Sequence, residues 1–292
     1  MEKMMFKCGF ININKPTAET SSNVVCKLKK ILGKVKVGHL GTLDPAASGV
    51  LPIAFGKATK FFDYFLTKNK EYIAVVKFGI ETDTLDSFGK IINTNKKLVS
   101  RQEIEAVLDR FKGKISQIPP KYSAIKIGGK KACDLAREGK EIEIKPREIE
   151  IFDIKLMSEE AENIFRFKVF CSAGTYIRTL FNDIARELGT VATTMVIIRT
   201  KSGLFDIEKA ITIDEFKKEN TYSTIEEIFD GFKVFEIDNP VIEKKILNGV
   251  KLEKAEIKID CEDRFFIKIK NQLAGMYHFE ENKLICDVFL AE

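Results

Sequence analysis

Four segments of the chain alternate apolar and polar side chains over lengths typical of β-strands. They cover residues 71–80, 164–171, 191–200 and 203–207. Helical periodicity occurs at irregular intervals along the same stretch, over residues 20–32, 100–113 and about 178–188. Because strands and helices do not alternate with βαβ spacing, we expect an α+β fold: a mixed, largely antiparallel sheet with flanking helices.

After about residue 232 the pattern changes to short strands separated by short connections. The segments are KVFEI, RFFIKIK, LAGMYHF and KLICDVFL. A chain of 292 residues is long enough for one large domain and one small one. We therefore predict a larger domain over residues 1–232 and a small β-rich domain over residues 233–292.

The composition excludes several classes of protein. No apolar run reaches the roughly 18 to 20 residues that a membrane-spanning helix needs, so we expect a cytoplasmic protein without membrane contact. The six cysteines contain no CxxC pair and only two histidines are present, which leaves too few clustered ligands for a zinc site.

Charge is distributed unevenly. Residues 1–60 carry ten lysines against three acids, whereas the chain from residue 204 onward carries thirteen basic and twenty acidic residues. The segment 121–147 has eight basic and four acidic residues and contains two adjacent glycines. It predicts either a flexible basic flap that closes on a polyanion or a solvated hairpin, and a lysine-rich segment is also typical of a solvated helix face.

The segment 36–61 concentrates glycine and proline around one acid, Asp44, and one histidine, His39. Taken alone, Asp44-Pro45 is typical of a turn. The ordered string GHLGTLDPAASGVLP, however, resembles the catalytic motif of the TruB family of tRNA pseudouridine synthases. Further similar segments are GFININKP, KEY, PPKYSAIKIGGKKACDLAREG, CSAGTYIRTLFNDIARELG and IIRTKSGLF, so the resemblance extends over roughly residues 9–206.

The resemblance implies a pseudouridine-synthase-like fold and a PUA-like, RNA-binding C-terminal domain. It also implies isomerisation of uridine to pseudouridine in the T-loop of tRNA, at position 55. That reaction breaks the bond between ribose C1′ and base N1, turns the base and rejoins it through C5. Since nothing is oxidised and no group is imported, we expect no cofactor and no metal, in a chain without a P-loop or a GxGxxG motif.

The resemblance also implies a set of site residues. Asp44 is the catalytic carboxylate, and Arg178 is the cation that offsets its desolvation. Tyr72 stacks on a flipped-out base, with Tyr176 closing the pocket and Ile197 packing against the base. His39 lies near the position that the base vacates, and Lys15 either holds the Asp44 loop or contacts phosphate. The alternatives are a core aromatic for Tyr72, a structural histidine, and a surface arginine and lysine.

Three functions remain open on the sequence. The first is modification of tRNA, through its T-arm, by a monomer that needs no protein partner. The second keeps the chemistry but selects the uridine with a guide RNA and partner proteins. The third is an RNA-binding or RNA-folding protein in which catalysis is incidental.

Overall fold

The computed structural model describes residues 7–140 and 142–291. The strands are β1 Gly9–Lys15, β2 Val37–His39, β3 Ala47–Phe55, β4 Lys70–Phe78, β5 Ile80–Thr82, β6 Ile91–Thr94, β7 Gly113–Gln117, β8 Lys126–Ile127, β9 Lys130–Lys131, β10 Arg147–Ala161, β11 Ile164–Cys171, β12 Ala192–Ser202, β13 Phe205–Asp206, β14 Val234–Glu236, β15 Phe265–Ile269, β16 Gln272–Glu280 and β17 Lys283–Phe289. The helices are α1 Ser21–Leu32, α2 Phe62–Leu66, α3 Arg101–Leu108, α4 Ala132–Arg137, α5 Ile177–Glu187, α6 Ile213–Glu219, α7 Ile225–Ile228, α8 Pro240–Leu247 and α9 Lys254–Ile257.

The larger sheet is mixed and largely antiparallel, which confirms the predicted fold class. Its strand order is β1, β3, β12, β4, β11, β10, β7, with β2 beside β3 and β13 beside β12. The one parallel pairing in this sheet joins β3 to β12 and places Gly49 opposite Arg199. This pairing brings two segments that are distant in sequence together at the centre of the sheet.

The predicted helices pack on this sheet through their apolar faces. In α1, Val24 and Leu28 are buried, while the Thr20 hydroxyl accepts a hydrogen bond from the backbone N–H of Asn23 at 3.0 Å. The predicted capping box of Ser100 and Glu103 begins α3. The residues that these helices bury extend one apolar core along the sheet.

The four segments predicted after residue 232 form a second sheet, ordered β14, β15, β16, β17. A second apolar cluster contains side chains from both sheets, such as Phe10, Val50 and Phe266, together with Phe61 and Phe229 from the connections between strands. Whether residues 233–292 constitute a separate domain stays a prediction. In the described part of the chain, no helix has both the length and the apolar character needed to cross a membrane.

Candidate active site

Asp44 lies in the loop that joins β2 to β3, and neighbouring segments hold this loop from two sides. At the start of α1, the Ser21 hydroxyl donates to the carbonyl of Leu43 and accepts from the Leu43 N–H, both at 2.9 Å. The N–H of Ala18 donates to the carbonyl of Pro45 at 2.8 Å. Asp44 thus lies between two fixed backbone positions, which restricts the direction of its side chain.

Arg178, the second residue of α5, makes an ion pair with Asp44. Its Nη2 donates to Asp44 Oδ2 at 2.6 Å, and the same guanidinium donates to the carbonyls of Thr84 and Tyr122. Asp86 lies on its other side, with Oδ2 at 3.4 Å. Arg178 is 4% exposed and the Asp44 carboxylate 33% exposed, so the cation is buried behind a carboxylate that faces open space.

That open space is a cavity of about 410 Å³, here called the Asp44 cavity. Four other residues predicted for the site line it: Tyr72, Tyr176, Arg178 and Ile197. The volume lies within the range of about 300 to 1,000 Å³ that is usual for small-molecule sites. Residues from β4, β12, α5 and the Asp44 loop therefore meet around one cavity, although they are far apart in sequence.

The two tyrosines of the cavity are neutral near pH 7. Burial raises the pKa of Tyr72 to about 12, although the neighbouring Arg199 opposes the shift. Burial also raises the pKa of Tyr176, and the Asp44 carboxylate adds to this effect. Both rings line the cavity and can stack on a planar ligand.

His39 and Lys15 do not line the Asp44 cavity as their side chains are placed here. His39 is in β2, and burial together with Arg199 lowers its pKa. Lys15 is 0% exposed, and its Nζ donates to the carbonyls of Pro16 and Glu19 at 2.7 Å each. Lys15 is therefore not a surface lysine; it orders the loop that follows it, whose Ala18 bonds to Pro45. Its contact with phosphate stays a prediction.

Arg199 and Lys70 also line the cavity, and neither was predicted from the sequence as a site residue. Arg199 is 1% exposed. It donates to the carbonyls of Gly41, Thr42 and Val50, at 3.3, 3.1 and 2.7 Å, on both sides of the Asp44 loop. The signal in the sequence is a charged residue within the apolar segment VIIRT, because an arginine in a central strand is rarely buried without backbone acceptors.

The segment 121–147 lies beside the cavity. Ala124, Ile125 and Arg147 contribute to the cavity lining. The segment contains the short hairpin β8–β9 and helix α4, and the Tyr122 carbonyl accepts from Arg178. The basic segment predicted as a flap is thus in contact with the ion pair, whereas its closure on RNA stays a prediction.

Comparison with known proteins identifies the relatives of this chain. Residues 29–177 match the model described as TruB family pseudouridylate synthase, N-terminal domain. A tRNA pseudouridine synthase B of Clostridium kluyveri is 40% identical over 281 residues, covering 95% of this chain and 93% of that protein. One of Syntrophomonas wolfei is 46% identical over 218 residues, 73% of each chain.

The chain belongs to the TruB family. It is therefore a pseudouridine synthase, which is an isomerase. Among solved structures, a chain of a Cbf5-Nop10-Gar1 complex superposes with a TM-score of 0.70 at 27% identity, covering 99% of this chain and 86% of that one. An H/ACA RNP bound to a substrate RNA containing 2′-deoxyuridine gives 0.68 at 25% identity, with coverage of 97% and 85%. The fold of this TruB-family chain is thus shared over nearly its whole length.

Proposed function

We propose that this chain isomerises uridine to pseudouridine at position 55, in the T-loop of tRNA, with Asp44 as the catalytic carboxylate. Relatives named tRNA pseudouridine synthase B cover most of the chain, which supports tRNA as the substrate. One observation carries the role of Asp44. Its part-exposed carboxylate faces the Asp44 cavity, and the buried Arg178 is bound to its other side.

The ion pair provides what a carboxylate at a glycosidic centre needs. The Arg178 guanidinium pairs with one side of the Asp44 carboxylate, and a carboxylate oxygen can meet positive charge at ribose C1′. The bond from C1′ to N1 then breaks, the base turns, and C5 bonds to C1′. The proton on C5 leaves and N1 gains one, so the atoms balance without a cofactor.

The walls of the cavity fit a nucleotide that has left its stack. Flipping a nucleotide out of a folded RNA costs a few kcal/mol, and stacking on an aromatic ring returns about 1 to 3 kcal/mol per base. Tyr72 and Tyr176 supply the rings, and Ile197 supplies an apolar surface. With a pKa of about 12, Tyr72 acts as a neutral phenol that stacks on the base and steers the C5 proton.

Replacing Asp44 by asparagine tests the role of this carboxylate. Asparagine has nearly the same shape but cannot ionise, so we expect Asp44→Asn to bind tRNA while turnover falls by at least about 10³-fold. The measurement is tritium release from tRNA that carries 5-tritiated uridine, with tRNA binding measured in parallel.

The matched control is Asp214→Asn, which makes the same change at an exposed carboxylate of α6. Its tritium release should equal that of the wild type. Undiminished tritium release by Asp44→Asn would remove Asp44 from the proposed role. Loss of tRNA binding by that variant would show a contribution to affinity rather than to chemistry.

We also propose that the chain acts as a monomer, without guide RNA or protein partner, in the cytoplasm. Residues 1–232 would then form the catalytic domain, with the segment 121–147 closing on RNA, and residues 233–292 a PUA-like RNA-binding domain.

Mapping pseudouridine in transcribed tRNA after incubation with the purified chain alone tests whether the chain acts without guide RNA or protein partner. Modification that requires an added guide RNA and proteins would instead support the second function, which the similarity to the Cbf5 and H/ACA structures favours. Tight tRNA binding without pseudouridine formation would support the third, in which binding is the useful output.

A further inference from the structure

A second cavity, of about 340 Å³, lies between α2 and the C-terminal sheet, and we call it the junction cleft. The side chains of Tyr64, Lys68, Phe232, Lys233, Asp263 and Arg264 contribute to its lining. Three of the six are basic and one is acidic. The cleft therefore combines aromatic surface with an excess of positive charge, and nothing in the proposed chemistry uses it.

Lys68 is held in place from two sides. Its Nζ lies 3.9 Å from the centre of the Tyr64 ring, in a cation–π contact. Gly203 packs against its aliphatic stem so closely that a Cβ at Gly203 would lie 3.0 Å from Lys68 Cβ. In the described part of the chain, neither Lys68 nor Lys233 makes a salt bridge with a carboxylate. Lys68 is thus an ordered cation that makes no direct ion pair there, although the charge of Asp287 acts on it.

Arg264 is oriented by Asp287 of β17. Its Nε donates to Asp287 Oδ2 at 3.0 Å, and His278 Nδ1 lies 2.9 Å from the same oxygen. Among the described residues, the Arg264 side chain makes this one hydrogen bond, through Nε. Its two terminal nitrogens can therefore donate to another group. A guanidinium fixed through Nε presents those nitrogens in the geometry that matches a phosphate.

The cleft is adjacent to the Asp44 cavity along the chain. Residues Tyr64 and Lys68 line the cleft, whereas Leu66 and Lys70 line the Asp44 cavity. One segment of seven residues, 64–70, thus contributes to both. A uridine in the Asp44 cavity would lie beside Leu66 and Lys70 of this segment, and the RNA backbone that carries it has a negative charge at every nucleotide.

We propose that the junction cleft binds a backbone phosphate of the same RNA whose uridine enters the Asp44 cavity, with Lys68, Lys233 and Arg264 as its ligands. The inference rests on the proposed function, since it takes RNA as the substrate. It adds a contact outside the nucleotide pocket, built from side chains that precede strands of the two sheets: Lys68 before β4, Lys233 before β14 and Arg264 before β15. Arg264 and Lys68 supply directed donors, and the exposed Lys233 adds charge at the rim.

The test replaces the two held cations together, as Lys68→Gln/Arg264→Gln, in an Asp44→Asn background so that binding is measured without turnover. We expect the affinity for transcribed tRNA to fall about 5- to 10-fold at low salt. The slope of log affinity against log salt should become shallower by about 1, as for the loss of one phosphate contact. Filter binding from about 50 to about 200 mM KCl measures both.

Two controls separate this contact from general effects. Lys217→Gln/Lys254→Gln removes the same charge from lysines that already pair with Asp214 and Asp260, and it should leave the slope unchanged. The conservative Lys68→Arg/Arg264→Lys should keep the slope near that of the parent chain. An equal loss in both glutamine variants, or an unchanged slope in Lys68→Gln/Arg264→Gln, overturns the proposal.

Small anions provide a further arm. Inorganic phosphate or uridine monophosphate could raise the Tm of the parent chain but not that of Lys68→Gln/Arg264→Gln, while the two chains bind tRNA with equal affinity. In that case the cleft is a site for a free anion, and the assignment to RNA is wrong. Failure of the proposed function looks different. In that case the parent chain binds no tRNA, or wild type modifies none, whatever the state of the cleft.

Discussion

At the scale of single residues, Lys70 shows how the burial of a charged side chain makes the free energy of unfolding depend on pH. It is 6% exposed, and its Nζ donates to the carbonyls of Leu66 and Lys68. Burial, and next to it the positive charge of Arg199, lower the pKa of Lys70 to about 8. In the unfolded chain a lysine titrates near 10.4. The folded protein therefore loses this proton first as the pH rises.

The sign of the effect follows from proton counts. Well below about pH 8 both states carry the proton, and well above about 10.4 neither does. Between these values the unfolded state binds more protons, so the free energy of unfolding rises with pH. We predict that replacing Lys70 by methionine reduces this rise by an amount on the order of 1 to 2 kcal/mol between about pH 7.5 and about 9.5.

Urea denaturation of Lys70→Met and wild type at the two pH values measures the difference. Lys217→Met, at an exposed lysine of α6, serves as control and should keep the wild-type rise. Lys15, whose pKa burial also lowers to about 8, remains in both chains, so part of the rise persists. Equal rises in Lys70→Met and wild type would mean that Lys70 is charged to the same extent in both states.

Some site residues are within reach of sequence reasoning and others are not. Asp44 stands in a dense, ordered motif, and Arg178, Tyr72, Tyr176 and Ile197 stand in segments that resemble one family. Arg199 differs, because its contacts are with backbone carbonyls. Such acceptors are present at every residue, so only the fold determines which of them a buried cation meets.

At the scale of elements, the close approach of β3 to β12 places the Asp44 loop. Gly49 has φ of +101°, and a Cβ there would lie 2.3 Å from the carbonyl oxygen of Arg199. A side chain at this position therefore meets both backbone strain and a backbone clash. The parallel pairing of β3 with β12 depends on glycine at this residue.

We predict that Gly49→Ala lowers the free energy of unfolding by at least about 2 kcal/mol and reduces tritium release even where the protein is folded. Activity falls because the carbonyls that Arg199 holds shift together with the Asp44 loop. Thermal unfolding and the tritium assay measure the two effects.

Gly38→Ala is the matched control, since Gly38 has ordinary φ and no atom within 4 Å of its would-be Cβ. Its stability should stay within about 0.5 kcal/mol of wild type. Comparable stability of the two alanine variants would contradict the packing argument for Gly49.

Helices were more accessible to prediction than strands. Capping residues mark α1 and α3 in the sequence, and both helices begin at the predicted residues. Strands β1 and β3 were not predicted. Strand β3 is almost wholly buried, so its sequence shows no alternation of apolar and polar side chains. Strand β10 was also missed: its irregular pairing with β11 shifts register three times, which disturbs a period of two. These segments are strands because of the neighbours with which they pair in the sheet, rather than because of the β-propensity of their residues.

At the scale of the whole molecule, an aromatic cluster joins the two sheets. The ring of Phe229 lies 4.9 Å from that of Phe61 and 5.2 Å from that of Phe266, measured between centroids. Phe61 follows β3 in the larger sheet, and Phe266 is in β15 of the smaller one. The same cluster forms one wall beside the junction cleft, where Phe232 packs on Phe266 at 6.2 Å.

Because these rings are buried together, the two sheets should unfold as one cooperative unit. We predict that Phe229→Ala lowers the free energy of unfolding by about 3 to 5 kcal/mol, the usual cost of removing a buried ring. It should also separate thermal unfolding into two transitions, since the remaining contacts no longer couple the sheets fully. Differential scanning calorimetry distinguishes one transition from two.

Phe88→Ala provides the control, because this phenylalanine is 54% exposed and its removal should change stability by less than about 0.5 kcal/mol.

The coupling of the two sheets through Phe229 also affects RNA binding. Both walls of the junction cleft depend on the Phe229 contacts, so Phe229→Ala should weaken tRNA binding at a temperature where both sheets remain folded. A single sharp transition together with full tRNA affinity in Phe229→Ala would show that other contacts hold the sheets in place.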